Sequence, residues 1–228
     1  MQVDIYCEKV EKKDKFNKRA VLDVKIKDDF SPLISLRKVG LDLLFEPSIM
    51  PNHQYFVREP LVAKLERISN ELAKDEKTLI IRSAWRSFHH QRKIRQNKTA
   101  ILRNLYPFKN DREIDKMVSE FIAPETKSMH ATGGAVDALI FDKRNICVMD
   151  FGTNKGLDIE LNKECYPHHP MVSAGARKNR ELLIGLFHSE GFVVDVKEYW
   201  HFDYGNPVWA VENKKDVAFY GVTEPKQD

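Results

Sequence analysis

From Leu61 to Leu72 the chain reads LVAKLERISNEL, and Leu61, Leu65, Ile68 and Leu72 recur at the three- and four-residue spacing of one helical face. The run Thr78-Leu79-Ile80-Ile81 that follows is short, apolar and β-branched, which predicts a buried strand. Two further helices are predicted over Phe88 to Leu105 and Asp111 to Ile122, separated by Pro107 and closed before Pro124. The period then shortens: Ala135 to Phe141 and Ile146 to Met149 read as strands joined by the turn Asp142-Lys143-Arg144-Asn145, a hairpin. A loop rich in Gly, Pro, Asn and Lys leads to an amphipathic helix over Ala174 to Ser189 that Gly191 ends. Phe192 to Val194 and Tyr199 to Tyr204 supply the last strands.

Before Leu61 the pattern is weak. The first fifty-odd residues read as irregular, with one strand-like alternation at Arg19 to Ile26 and a proline-punctuated stretch through Pro32, Pro47 and Pro51. The mixed run from Glu8 to Lys27 reads as a solvated face. Helices come mostly first and strands cluster later, so the expected class is α+β: a single compact domain, with helices packed on a small antiparallel sheet that carries the functional site. Along residues 1–228 this divides into an irregular part (1–55), a core (56–206) and a C-terminal extension (207–228).

Composition narrows the function. With 228 residues, 42% hydrophobic and 31% charged, the chain is an ordinary globular protein able to bury a core without disulfides. A net charge of +3 gives no concentrated basic surface for nucleic acid, and no run of apolar residues is long enough to span a membrane. The start, MQVDIYCEKVEKKDK, lacks the apolar core of an export signal, so a cytoplasmic protein is expected. Cys7, Cys147 and Cys165 are odd in number and form no CxxC pair, which suits a reducing compartment and argues against a thiolate zinc site.

Two segments carry candidate chemistry: SMHATGGAVDALIFD, Ser128 to Asp142, and EYWHFDYGN, Glu198 to Asn206. A lone histidine at a strand edge is usually structural. Together, however, they offer His130, Asp137 and His201 from separate parts of the chain, the His/carboxylate set of catalytic zinc sites, which keep one coordination position open. Gly133 and Gly134 would let the backbone turn tightly between the first two ligands. Glu198, three residues before His201, is the candidate general base, able to take a proton from water and pass it to the departing amine. Positions i and i+3 of a strand face opposite sides, so Glu198 must sit in a turn or bulge entering the strand. A third segment, IIRSAWRSFHHQRK, brings Arg86, with Arg82 as competitor, to polarise a scissile carbonyl and hold the oxyanion that forms. The adjacent pairs His89-His90 and His168-His169 diverge too much to chelate one ion and read as surface or capping residues.

Ser128, His130, Gly133, Ala135 and Asp137 fit an S-x-H-x-x-G-x-A-x-D pattern, and Glu198, Trp200 and His201 fit E-x-W-H. With Trp85-Arg86, this arrangement resembles the zinc D-alanyl-D-alanine dipeptidases (VanX-like) and the related carboxypeptidases, over roughly residues 60–206. The resemblance implies one Zn2+ per chain on His130, Asp137 and His201, Glu198 as base, Arg86 as stabiliser, and a small dipeptide held by Ser128 and Asp158. Hydrolysis of D-Ala-D-Ala or a related free D-amino-acid dipeptide is thus the leading expectation. The alternatives are a zinc D,D- or L,D-carboxypeptidase of peptidoglycan stem peptides and a non-catalytic binding module on the same fold. The loop Phe151 to Asp158 is about two residues longer than the family's usual form.

Overall fold

The computed structural model describes residues 2–48, 55–120, 122–153 and 163–225. A mixed sheet of six strands forms its centre. β3 (Leu43–Phe45), β5 (Lys77–Ser83), β6 (Ala135–Asp142), β9 (His201–Asp203) and β8 (Val193–Val194) lie in that spatial order, and β7 (Cys147–Val148) pairs with β6. All pairings are antiparallel except β3 with β5. That parallel edge strand was not expected, because it is supplied by the proline-punctuated stretch before Leu61. A two-stranded antiparallel ribbon, β2 (Leu33–Ser35) with β4 (Phe56–Arg58), precedes the first core helix.

Strand alternation separates the core from the site. On β6, Val136, Ala138 and Ile140 enter the main core, as does Phe202 on β9, whereas Asp137, His201 and Asp203 take the opposite face. The core side is closed by α2 (Glu59–Ala73) and α5 (Ala174–Ser189), which contribute Leu61, Leu65, Ile68, Leu72, Leu183 and Phe187. Each such burial stabilises the fold by about 1.5–3 kcal/mol relative to exposure. The other side is framed by α3 (Phe88–Leu105) and α4 (Asp111–Ser119), whose Leu102, Ile114 and Val118 form a smaller cluster with Ile122 beyond α4. Ser87 caps α3 by accepting the N–H of His90, and Asn110 with Glu113 forms a capping box on α4.

The N-terminal stretch differs from the sequence expectation. Within the described residues 2–48 the chain is more regular than expected: Gln2–Ala20 is a helix, α1, and of the strand expected over Arg19 to Ile26 only Lys25–Ile26 (β1) is extended. The helix escapes a periodicity reading because it buries only Cys7 and Asn17. Its anchors are distant polar partners instead: Lys13 and Asn17 reach Glu212, Lys163 reaches Glu11, and the Tyr6 hydroxyl accepts the N–H of His168. The C-terminal stretch belongs to the same structure. The short helix α6 (Pro207–Glu212) places Trp209 and Ala210 against Ala218, and β10 (Val217–Ala218) pairs in parallel with β1. Among the described residues, no helix is long and apolar enough to cross a membrane. The three cysteines are free.

Candidate metal centre

The register of the sheet assembles the centre. Ser83 on β5 pairs with Asp137 on β6, and Asp137 pairs with His201 on β9, so three side chains stand in one row on the face opposite the core. The β5 ladder shifts between Ile81 and Ser83, a bulge that ends regular pairing beside the site. His130 arrives from outside the sheet, on a short 3-10 turn, Met129–Thr132. Gly133 ends that turn with φ 72°, where a Cβ would run into the Leu33 side chain, and a Cβ on Gly134 would run into the Tyr204 carbonyl. Gly133 is thus favoured by its left-handed backbone and Gly134 by the close approach of the Tyr204 carbonyl.

One ligand atom from each of His130, Asp137 and His201 lies within 4.8 Å of the other two. His130 and Asp137 are buried and His201 is nearly so. The imidazole rings stand edge to face, their centroids 4.8 Å apart. The outer nitrogens of both rings are occupied. His130 Nδ1 donates to the Ala84 carbonyl at 2.6 Å, leaving Nε2 turned to Asp137 Oδ2 at 3.3 Å. His201 Nε2 lies 3.3 Å from Asp203 Oδ1, leaving Nδ1 at 2.8 Å from Asp137 Oδ1. Asp203 is in turn held by the Asn206 side-chain amide at 2.6 Å. Carbonyl and carboxylate partners of this kind fix the tautomer and orientation of metal-ligating histidines.

The electrostatics suit a cation. Burial, aided by the Arg86 charge, pushes His130 down to about 4, which keeps it neutral and ligand-ready at pH 7. Burial alone would raise Asp137, but His130, His201 and Arg86 outweigh it and hold its carboxyl well below the usual range. His201 is also opposed by burial, yet the Asp203 and Asp137 carboxylates hold it well above 6.5. Two carboxylates thus draw positive charge to the site, and Arg86 supplies a fixed cation beside Asp137. That guanidinium donates from Nη2 to Asp137 Oδ2 at 2.6 Å, from Nε to Ser83 Oγ at 2.7 Å and from Nη1 to Gln91 Oε1 at 3.2 Å. Arg82, the competitor, pairs instead with Glu46 at 2.6 Å and lies over the Trp200 ring.

Glu198 lies outside the regular strand, as the expectation required. The His201 N–H donates to the Glu198 carbonyl at 3.2 Å, so Glu198 stands in a turn that delivers the chain to β9. Glu198, Ser128, Arg86 and the three clustered residues line one cavity of about 1080 Å3, which extends to Asp14 and Lys18 of α1 and to Ile94 and Lys98 of α3. Asp158 lies outside the described residues. Of the paired histidines expected as surface or capping residues, His90 and His169 are buried: His90 lines the cavity and its N–H enters the Ser87 cap of α3, and His169 packs edge-on against Tyr6. Sequence reasoning missed Ser83, Gln91 and Asp203, which support the cluster. Only Asp203 was accessible to it, since two residues after His201 on a strand means the same face.

An α+β chain with a thiolate-free His, Asp, His cluster, two of them on central strands and one on the adjoining 3-10 turn, is the class that fold and site define. Residues 78–217 match the Peptidase_M15 family model, described as D-ala-D-ala dipeptidase, and the chain belongs to that family. Over 76 residues it is 34% identical to the D-alanyl-D-alanine dipeptidase of Escherichia coli (strain K12), a match covering 33% of this chain and only 37% of that relative's length. Among solved structures it is similar to a mutant of the vancomycin resistance D,D-pentapeptidase VanY from the VanB-type cassette in complex with Zn(II) (14% identity, TM-score 0.49, 87% of this chain and 96% of that one). It is also similar to the LdcB LD-carboxypeptidase (16% identity, TM-score 0.45, 84% of this chain and 76% of that one).

Proposed function

We propose that the protein is a cytoplasmic zinc dipeptidase that hydrolyses D-Ala-D-Ala or a related free D-amino-acid dipeptide. The observation that carries this reading is the convergence of His130, Asp137 and His201 within 4.8 Å, each histidine's outer nitrogen already engaged, on the cavity that Glu198 and Arg86 also line. Three N/O donors without a thiolate fit Zn2+ in an open site. When bound, the ion supplies Lewis-acid polarisation of the peptide carbonyl and acidification of water. Glu198 takes the proton of the attacking water and returns it to the departing amine. Three of the five Arg86 N–H groups are engaged by Asp137, Ser83 and Gln91, which leaves two for a substrate oxygen on which charge develops. Ser128 and Asp158 are assigned to the dipeptide, Asp158 to its terminal ammonium.

Arg86→Ala is expected to lower kcat by roughly 10²–10³-fold with a smaller change in KM, as for loss of an oxyanion donor. Steady-state kinetics on metal-loaded protein check this. A rise in KM alone would make Arg86 a binding residue, and zinc loss would make its hold on Asp137 the main role.

A second reading, a carboxypeptidase of peptidoglycan stem peptides, is favoured by the cavity. Its volume of about 1080 Å3 is at the upper end for drug-sized ligands and more than a dipeptide fills. Metal analysis of purified protein, with hydrolysis of D,D, L,D and L,L dipeptides, N-acetyl-D-Ala-D-Ala and a stem pentapeptide, tests both. If Asp158 pairs with a free ammonium, acylation or extension leaves it unpaired and kcat/KM falls steeply. The expected result is a clear preference for the free D,D dipeptide. Comparable values for dipeptide and pentapeptide would move the protein to the carboxypeptidase reading.

A further inference from the structure

We infer that Lys197 is a positioning residue for Glu198, fixing the turn that carries the base against the end of α4; the inference rests on the proposed role of Glu198. The turn is held from within by one carboxylate: Asp195 Oδ1 accepts the N–H groups of Lys197 at 2.7 Å and Glu198 at 3.1 Å. Asp195 itself is fixed to the sheet, since its N–H donates to the His201 carbonyl at 2.9 Å and continues the register of β8 on β9. Asp195 ties the turn to the sheet, and Lys197 ties it to the opposite wall of the cavity. The residue is only 5% exposed, and its ammonium donates to the Glu120 carbonyl at 3.0 Å and to Glu120 Oε2 at 2.9 Å, with Asp14 Oδ2 of α1 at 3.8 Å.

Glu120 is the C-cap of α4, so the ammonium satisfies a helix-end carbonyl and complements the negative end of the helix dipole. Burial would raise the Glu120 carboxyl, yet the Lys197 hydrogen bond and charge hold it below its ordinary value. A buried lysine paired in this way is strongly committed, because losing a partner leaves a desolvated charge behind. Lys197 therefore joins three walls of the cavity at the residue next to the base: the sheet through Asp195, α4 through Glu120 and α1 through Asp14. The α1 contact lies outside the matched family region, so part of the support of the site comes from the N-terminal helix.

The test uses full-length Lys197→Met and Lys197→Arg variants, each also in a Glu198→Gln background, with hydrogen exchange on the metal-free proteins. Lys197→Met should lower kcat by about 10- to 100-fold, as for a displaced catalytic group, while KM and zinc content stay near wild type. Lys197→Arg should recover most of the loss, and Lys197→Met should cost little more once Glu198 is already Gln. The amides of Lys197 and Glu198 should exchange faster in Lys197→Met while those of β6 stay protected. Unchanged kcat, a rise in KM alone, or an equal loss in the Glu198→Gln background would overturn the inference, as would unaltered exchange. If the wild type cleaves nothing in the peptide panel the proposed function falls, and the exchange measurement still decides whether Lys197 holds the turn.

Discussion

Purified His130→Ala protein is expected to contain almost no zinc and to have no measurable peptidase activity, while the wild type carries about one zinc per chain. The loss is expected to be near complete because the centre has no spare ligand. Among the described residues, His130, Asp137 and His201 form the one group of three potential ligands within reach of a common ion. Two ligands on adjacent strands would remain, with a void where a buried imidazole stood and with the Ala84 carbonyl deprived of its donor. The fold should survive, since His130 lies on a 3-10 turn beside the sheet rather than in the main core. Metal analysis by mass spectrometry, with circular dichroism as the folding control, checks the result. Full zinc occupancy in folded His130→Ala would remove the residue from the centre and with it the case for an open three-ligand site.

The parts of this structure that were legible in the sequence are those whose signal is local. α3 and α5 occupy the residue ranges predicted, because each opens on a serine cap, Ser87 or Ser173, and is closed by a nearby Pro107 or Gly191. The helix α2 was announced by Leu61, Leu65, Ile68 and Leu72, all of which are buried. The β6–β7 hairpin follows from alternation and from the Asp142 carboxylate, which accepts the N–H groups of Arg144 and Asn145 within the turn. What was not legible depends on distant partners. The polar α1 is held by Glu212, Lys163 and His168, and β1 and β10 are two-residue strands that exist only through each other.

The same division runs through the site. His130, Asp137, Glu198 and His201 stand in short motifs whose residue types already suggest their chemistry, and the structure brings them to one cavity. The surrounding framework is less legible: the Ala84 carbonyl holds His130, the Ser83 hydroxyl and Gln91 amide hold the Arg86 that bonds Asp137, and the Lys197 ammonium holds the end of α4. A carbonyl has no sequence identity, and a lone Ser, Gln or Lys has many ordinary roles, so only the fold distinguishes them. The choice between Arg86 and Arg82 was likewise open in the sequence. The bulge between Ile81 and Ser83 accompanies their separation, with Arg82 paired to Glu46 and Arg86 hydrogen-bonded to Asp137.

Glu198→Gln should have the opposite signature to His130→Ala: zinc retained at about one per chain, and kcat reduced by about 10²–10⁴-fold, the contribution of a general acid–base group. Gln keeps the size and one carbonyl oxygen of Glu but cannot accept and return a proton at neutral pH. The backbone of the turn should be unaffected, since Asp195 Oδ1 holds it through main-chain N–H groups and the Glu198 carbonyl still accepts from His201. KM should therefore move little, and a loss confined to kcat would separate proton transfer from substrate binding. Parallel zinc analysis and steady-state kinetics on the preferred dipeptide make the comparison. Turnover within a few fold of wild type would make Glu198 an ordinary cavity-lining acid, and loss of zinc would make it a ligand. Glu198 lines the cavity from the turn ahead of β9 and stands outside the three-residue cluster, so a chemical step that fails while the metal stays in place is the expected outcome.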